Sequence, residues 1–202
     1  MTMIRIVQTF RYIAIVALVI FSVQVYAQGS FVLSPDQQFK VEGTSTLHDW
    51  EMISTKAHGV ATITLQNGKI ASINYLIVDL PVTSLKSGKG AMDKNAYDAL
   101  QANKNPKIQL ELTEAEVISE QLVKAKIKLS IAGTTRVADW DVNYNLSEGG
   151  VSFSGSHKIK FSDFKVAPPK AMFGTIKTGD DLELSFETIF KSTNETALKT
   201  TN

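Results

Sequence analysis

Few side chains in this chain of 202 residues are placed to do chemistry, and those few sit close together. The stretch VEGTSTLHDWEM, Val41 to Met52, sets His48, Asp49 and Trp50 side by side, with Ser45 and Thr46 just ahead of them. A hydrolytic centre needs a nucleophile, a base and an orienting group within hydrogen-bond reach. Neighbouring residues on a strand point to opposite faces, so His48 and Asp49 work together only if the chain bends there. Nothing in the surrounding sequence activates Ser45 or Thr46. Three readings follow. Asp49 or His48 caps a bend while Trp50 packs over one end of the fold, or the triplet lines the entrance to a binding site, or it is a hydrolase centre. The missing partners rank the hydrolase last, and the chain is expected not to be an enzyme.

Metal chemistry is no better supplied. A metal site needs three or four converging ligands. The chain has no cysteine, and His48, His58 and His157 are not paired at ligand spacing. Disulfides and thiol nucleophiles are excluded outright. Asp93 and Lys94 open a short helical stretch, where an acid suits the helix dipole and caps free N–H groups. Lys94 with that helix N-terminus is the alternative, as a contact for a polar head group, and His48 is the second such candidate. Lys86 and Lys89, in SLKSGKG, lie in a loop with no Walker pattern.

The elements that must position these residues are almost all strands. Period-two alternation runs through VATITLQ, with Ala61, Ile63 and Leu65 on one face, and through IASINYLIVDL, with Ala71, Ile73, Tyr75 and Ile77 on one face. Asn67-Gly68 between them is a hairpin turn signal. The pattern continues with Ile108, Leu110 and Leu112, and then Val123, Ala125, Ile127, Leu129 and Ile131 against lysines. Ala138, Trp140, Val142, Tyr144 and Leu146 follow. The last runs carry Val151, Phe153, His157, Ile159 and Phe161, and Leu182, Leu184, Phe186 and Phe190. GAMDKNAYDALQANKNP alone has helical spacing, at Met92, Ala96, Ala99 and Leu100, with Asn105-Pro106 expected to end it. One buried and one wet face per strand is the mark of an antiparallel sheet. The fold class is therefore all-β, an antiparallel lipocalin-like barrel of about eight strands with one short helix, since closure removes exposed edges. A sandwich is the other arrangement.

At about eight strands a barrel is either filled by its own side chains or holds one small ligand. The inner-face candidates are Ile63, Leu65, Ile73, Tyr75, Leu110, Leu129, Trp140, Phe153 and Phe186, joined by Trp50. Each is either core or ligand wall, and a guest would have to be apolar. Met172 and Phe173, after Pro168-Pro169, form an adaptable lid over the mouth in this reading.

The first 27 residues read as an export signal. Arg5 and Arg11 precede the apolar run YIAIVALVIFSVQV, and Val25-Tyr26-Ala27 offers small residues at a cleavage site before Gln28. An uncleaved anchor is the alternative, but the run is short for a span of about 20 residues. Residues 28–202 are then one domain, with a core at 30–191 and a polar tail at 192–202. The whole chain has 21 basic and 20 acidic residues, and cleavage would leave 19 basic. Such a balance has no electrostatic footprint for nucleic acid, and no transmembrane span would remain. An exported chain without cysteine suits the periplasm.

In this light the sequence resembles the YceI-like family, exported bacterial barrels of lipocalin-like shape that bind polyisoprenoid lipids. FKVEGTSTLHDWE resembles the family's opening strand and bend. LPVTSLKSGKGAMDKNAYDAL resembles its crossover into the helix, and NPKIQLEL the proline-led strand that follows. AKIKLSIAGTTRVADWDV and VSFSGSHKIKFSDFKVAPPKAMFGTIKTGDDLELSFE resemble its later strands and closing hairpin. Where the better-known branch often carries a histidine-leucine-arginine run, this chain has Met92-Asp93-Lys94-Asn95. The resemblance implies an extended barrel with a helix packed near one end. It also implies a hydrophobic tunnel holding an isoprenoid or quinone-like lipid, with no other cofactor. A second copy of the chain is a further candidate partner. The rival readings are a filled barrel serving as a structural or interaction module, and a hydrolase using the His48 region.

Overall fold

The computed structural model describes residues 27–147, 150–171 and 174–193. The expected export signal except Ala27, the expected lid residues Met172 and Phe173, and the tail beyond Thr193 lie outside these residues.

Among the described residues eleven strands follow in chain order: β1 (Ala27–Leu33), β2 (Gln38–Ser45), β3 (Trp50–Ser54), β4 (His58–Gln66), β5 (Lys69–Pro81), β6 (Lys107–Val117), β7 (Leu122–Ile131), β8 (Thr134–Ser147), β9 (Gly150–Lys160), β10 (Lys170–Ala171) and β11 (Ile176–Ser192). Among the described residues one α-helix, α1 (Gly90–Ala99), sits between β5 and β6. β1 and β2 are two halves of one bent strand, because both pair with the same edge of the long β11. β3 and β4 likewise lie beside β2 and β1 in turn. Counting each bent pair once, and setting aside the two-residue β10, which pairs only with β11, gives a closed antiparallel barrel of eight strands, so the barrel expectation holds over the sandwich.

Closure follows from local chemistry. β4 and β5 are joined through Asn67 (φ 52°) and Gly68 (φ 71°), the left-handed pair that a two-residue hairpin turn requires. On β7 the lysines face outward, and cross-strand pairing sets Lys126 beside Glu114 and Lys128 beside Glu111. The opposite face of β7 is buried from Val123 to Ile131.

The alternation breaks on β5. Register shifts fall between Thr62 and Ile63 and between Thr64 and Leu65, so the inward Ala61, Ile63 and Leu65 oppose Leu76, Ile73 and Ile70. Each irregularity adds a β5 residue and flips the facing set. The inward series on β5 thus becomes Ile70, Ile73, Leu76, Val78 and Leu80, with Ile73 and Leu76 half-buried. The expected series through Ala71, Tyr75 and Ile77 is corrected, and Tyr75 stands outside at 44% exposure.

α1 also ends earlier than the proline suggests. Gln101 takes φ 53°, its N–H donates to the Asp98 carbonyl, and the Ala102 N–H donates to the Tyr97 carbonyl at 2.9 Å. This Schellman closure stops the helix before Asn105-Pro106. Two ties hold the helix to the preceding crossover. Asp93 does not cap its own helix. It accepts the backbone N–H and the hydroxyl of Ser87 at 2.8 and 2.7 Å. The Tyr97 hydroxyl lies 2.9 and 2.7 Å from the carbonyls of Thr83 and Leu85, donating to one at a time. The crossover itself bridges β3, with Ile53 and Lys86 exchanging backbone hydrogen bonds of 2.9 and 2.8 Å.

The interior divides along the barrel axis. The end away from α1 is packed solid. Phe31, Ile63, Val151 and Phe190 are each at most 2% exposed, and Phe153 meets Phe190 edge to face with centroids 5.9 Å apart. Tyr144 closes that end by donating its hydroxyl to the Ser119 carbonyl at 2.9 Å. The half beneath α1 is not filled in this way.

Candidate apolar binding site

A cavity of about 370 Å³ occupies the helix half of the barrel. That volume is within the usual range for small-molecule sites, about 300–1,000 Å³. Its walls come from alternate residues of the strands: Val41 and Met52, Leu110 and Leu129, Leu182 and Leu184. The apolar face of α1 covers one side through Met92, Ala96, Ala99 and Leu100. Phe161, Phe164 and Val166, from the loop after β9, close another side. The lining is almost wholly carbon.

The inner boundary is aromatic. Phe39 and Phe186 stack with centroids 6.5 Å apart, and Trp140 lies 6.1 Å from Phe186. Phe186 pairs in register with Gly155 on β9, where an added Cβ would sit 3.2 Å from its ring. The missing side chain there lets the Phe186 ring lie over β9 towards Trp140. β8 and β9 are paired only from Asn143 to Ser147 and from Gly150 to Ser154. Where they part, Trp140 stacks on His157 with centroids 4.6 Å apart. Burial holds the His157 imidazole below its ordinary pKa, because desolvation disfavours the cation. The Trp140 N–H is buried without an acceptor among the described residues.

The mouth lies at the α1 end. Leu47, at 65% exposure, and the exposed His48, Lys89, Ala91 and Lys170 are on its rim. Lys160 is also there, paired with Asp181 at 3.1 Å. The bend that carries His48 is organised by Ser45, not by His48 or Asp49. The Ser45 hydroxyl donates to the His48 carbonyl at 2.7 Å and accepts the N–H groups of Leu47 and His48. His48 Nδ1 lies 2.6 Å from the Asp49 carbonyl. Trp50 turns inward, and its indole N–H donates to the Thr44 carbonyl at 3.0 Å. It fits because residue 43 is glycine: a Cβ there would run into Trp50 Cζ2. This geometry shapes an entrance. It sets no nucleophile beside a base. Among the described residues no group of three metal-ligating side chains converges.

The structure brings six of the sequence-based candidates to this cavity: His48, Trp50, Leu110, Leu129, Trp140 and Phe186. Ile63, Leu65, Ile73 and Phe153 belong to the solid half, packed in the core. Tyr75 is outside, and Lys94 is exposed on α1 away from the lining. Met172 and Phe173 lie outside the described residues. Sequence reasoning missed the α1 contribution to the wall and the role of Phe39. The helical spacing of Met92, Ala96, Ala99 and Leu100 was the available signal for the first. Nothing local distinguishes Phe39 from any other inward strand residue.

No curated protein sequence matches the chain. Among solved structures, it is similar to BcnA of Burkholderia cenocepacia, with a TM-score of 0.66 at 15% identity over 78% of this chain and 98% of that one. A polyisoprenoid-binding domain from Saccharophagus degradans, described as implicated in plant cell wall breakdown, aligns with a TM-score of 0.62 at 12% identity. It covers 82% of this chain and 99% of that one. A YceI protein of Campylobacter jejuni gives 0.55 at 24% identity over 69% and 85% of the two chains. At these identities the likeness is one of fold. The YceI-like domain model matches residues 31–190, which takes in the barrel, the crossover and the helix. The chain belongs to the YceI-like domain family.

Proposed function

We propose that this protein is an exported carrier that binds an isoprenoid or quinone-like lipid, the apolar chain lying in the helix half of the barrel and the polar head at the mouth. The observation that carries this is the 370 Å³ cavity with an almost wholly apolar lining beneath α1. Apolar walls of that extent are costly to leave against water and favour a greasy guest, at about 0.8 kcal/mol for each methylene buried. Trp50, Leu110, Leu129, Trp140 and Phe186 are the proposed chain contacts, and His48 with Lys89 the proposed head-group contacts. Lys89 takes over the role that sequence reasoning gave to Lys94, because it is on the rim.

Membership of the YceI-like family and the likeness to a polyisoprenoid-binding domain support the reading. Export to the periplasm rests on the N-terminal sequence, and a binding role without catalysis rests on the entrance geometry around His48. The test is organic-solvent extraction of protein purified from its own cell envelope, followed by mass spectrometry. A stoichiometric isoprenoid or quinone-like lipid is the expected result. Protein that yields no lipid, and that takes up none when offered prenyl alcohols in detergent, would refute the proposal.

A further inference from the structure

The aromatic row at the inner end of the cavity has a consequence for which lipid fits, and this inference rests on the proposed function. Phe39, Phe186 and Trp140 come from β2, β11 and β8, with Gly155 of β9 leaving room for the Phe186 ring. Beneath them the barrel is filled by Phe31, Ile63, Phe153 and Phe190. Along the barrel axis the cavity therefore ends at this row, opposite its mouth at the helix end. A cavity of ~150 Å³ accommodates a six-carbon ring. On that scale the 370 Å³ here accommodates about 15 carbons.

We propose that Phe39, Trp140 and Phe186 form a floor that limits the bound chain to about 15 carbons, roughly three isoprene units. The protein thereby selects short prenyl chains or compact amphiphiles over full-length polyprenyl chains. A longer chain gains nothing from its extra units, because they remain outside the mouth in water. Phe186 is the specificity-determining residue, since its ring spans the row between the other two.

The test is a binding series with all-trans prenyl alcohols of two, three, four and eight isoprene units. The readout is the emission of Trp50 and Trp140, both of which line the cavity. Affinity should rise by about fourfold for each added carbon until about three units, and level off by four. In Phe186→Ala the plateau should move outward by about one unit, since the lost ring frees the space of about six carbons. Phe186→Leu serves the same purpose if the alanine variant fails to fold, with a smaller outward shift. Affinity that keeps climbing to eight units in the unaltered protein overturns the floor. So does a plateau that stays put in a folded floor variant. Failure to bind any member of the series contradicts the carrier reading itself, whereas binding without a plateau contradicts only the floor.

Discussion

Replacing Ala96 by phenylalanine separates a hollow half from a filled one. Ala96 lies on the inner face of α1, half-buried, and lines the cavity. A benzyl side chain there projects into open volume and claims ~150 Å³, about two fifths of the 370 Å³ available. It displaces about six ligand carbons, and at about 0.8 kcal/mol each binding weakens by up to ~5 kcal/mol. The helix loses only about 0.5 kcal/mol in propensity, and burying the new ring offsets that. The matched control is Ala61→Leu. Ala61 is 2% exposed in the solid half and pairs in register with Phe31. Extra carbons there meet packed atoms, so overpacking costs about 1–3 kcal/mol, with ligand affinity kept. Urea unfolding of the ligand-free proteins and lipid titration of each measure the two effects. Equal destabilisation by both substitutions, or undiminished lipid binding by Ala96→Phe, would refute the division of the barrel.

Three further outcomes are expected. Gly43→Val drives a Cβ into the Trp50 ring, breaks the Trp50 bond to Thr44 and destabilises by about 1–3 kcal/mol; Trp50 emission should shift to the red, and unchanged emission would contradict the close approach. Asp93→Asn removes the charge that accepts from Ser87 and costs about 2 kcal/mol at neutral pH. The Ser87 hydroxyl is the main cause holding the Asp93 carboxyl below its ordinary pKa. Its contribution is therefore present above the unfolded value of about 3.9 and lost as pH falls through the lower folded value, so the gap between variant and parent in acid unfolding should close there. His157 has its pKa lowered by burial, so the unfolded chain binds the proton first. Stability should fall as pH drops below about 6.5 towards the depressed folded value, and His157→Gln should flatten that part of the profile measured by thermal unfolding.

Most of the barrel could be read in the sequence because a strand reports its orientation locally. β7, with lysines alternating against Val123, Ala125, Ile127, Leu129 and Ile131, has one face for water and one for the core. The same holds for β8 and β9. β5 escaped, since a bulge is a property of two paired strands and leaves no mark in either alone. The end of α1 escaped for a related reason: a left-handed glutamine is stabilised by hydrogen bonds to the helix it terminates, whereas the proline that seemed to stop it is five residues further on.

Residue type and spacing along the chain carry the β class, the short helix, the apolar inner rows other than that of β5, and the family. Tertiary structure alone decided which inner rows enclose space. Ile63 and Leu110 have the same character and the same period, yet one is packed among core residues and the other lines the cavity. The difference lies in what arrives from across the barrel. Phe31, Phe153 and Phe190 fill one half, while the small face of α1 spans the other. Volume depends on how distant segments meet, and no local pattern encodes that sum.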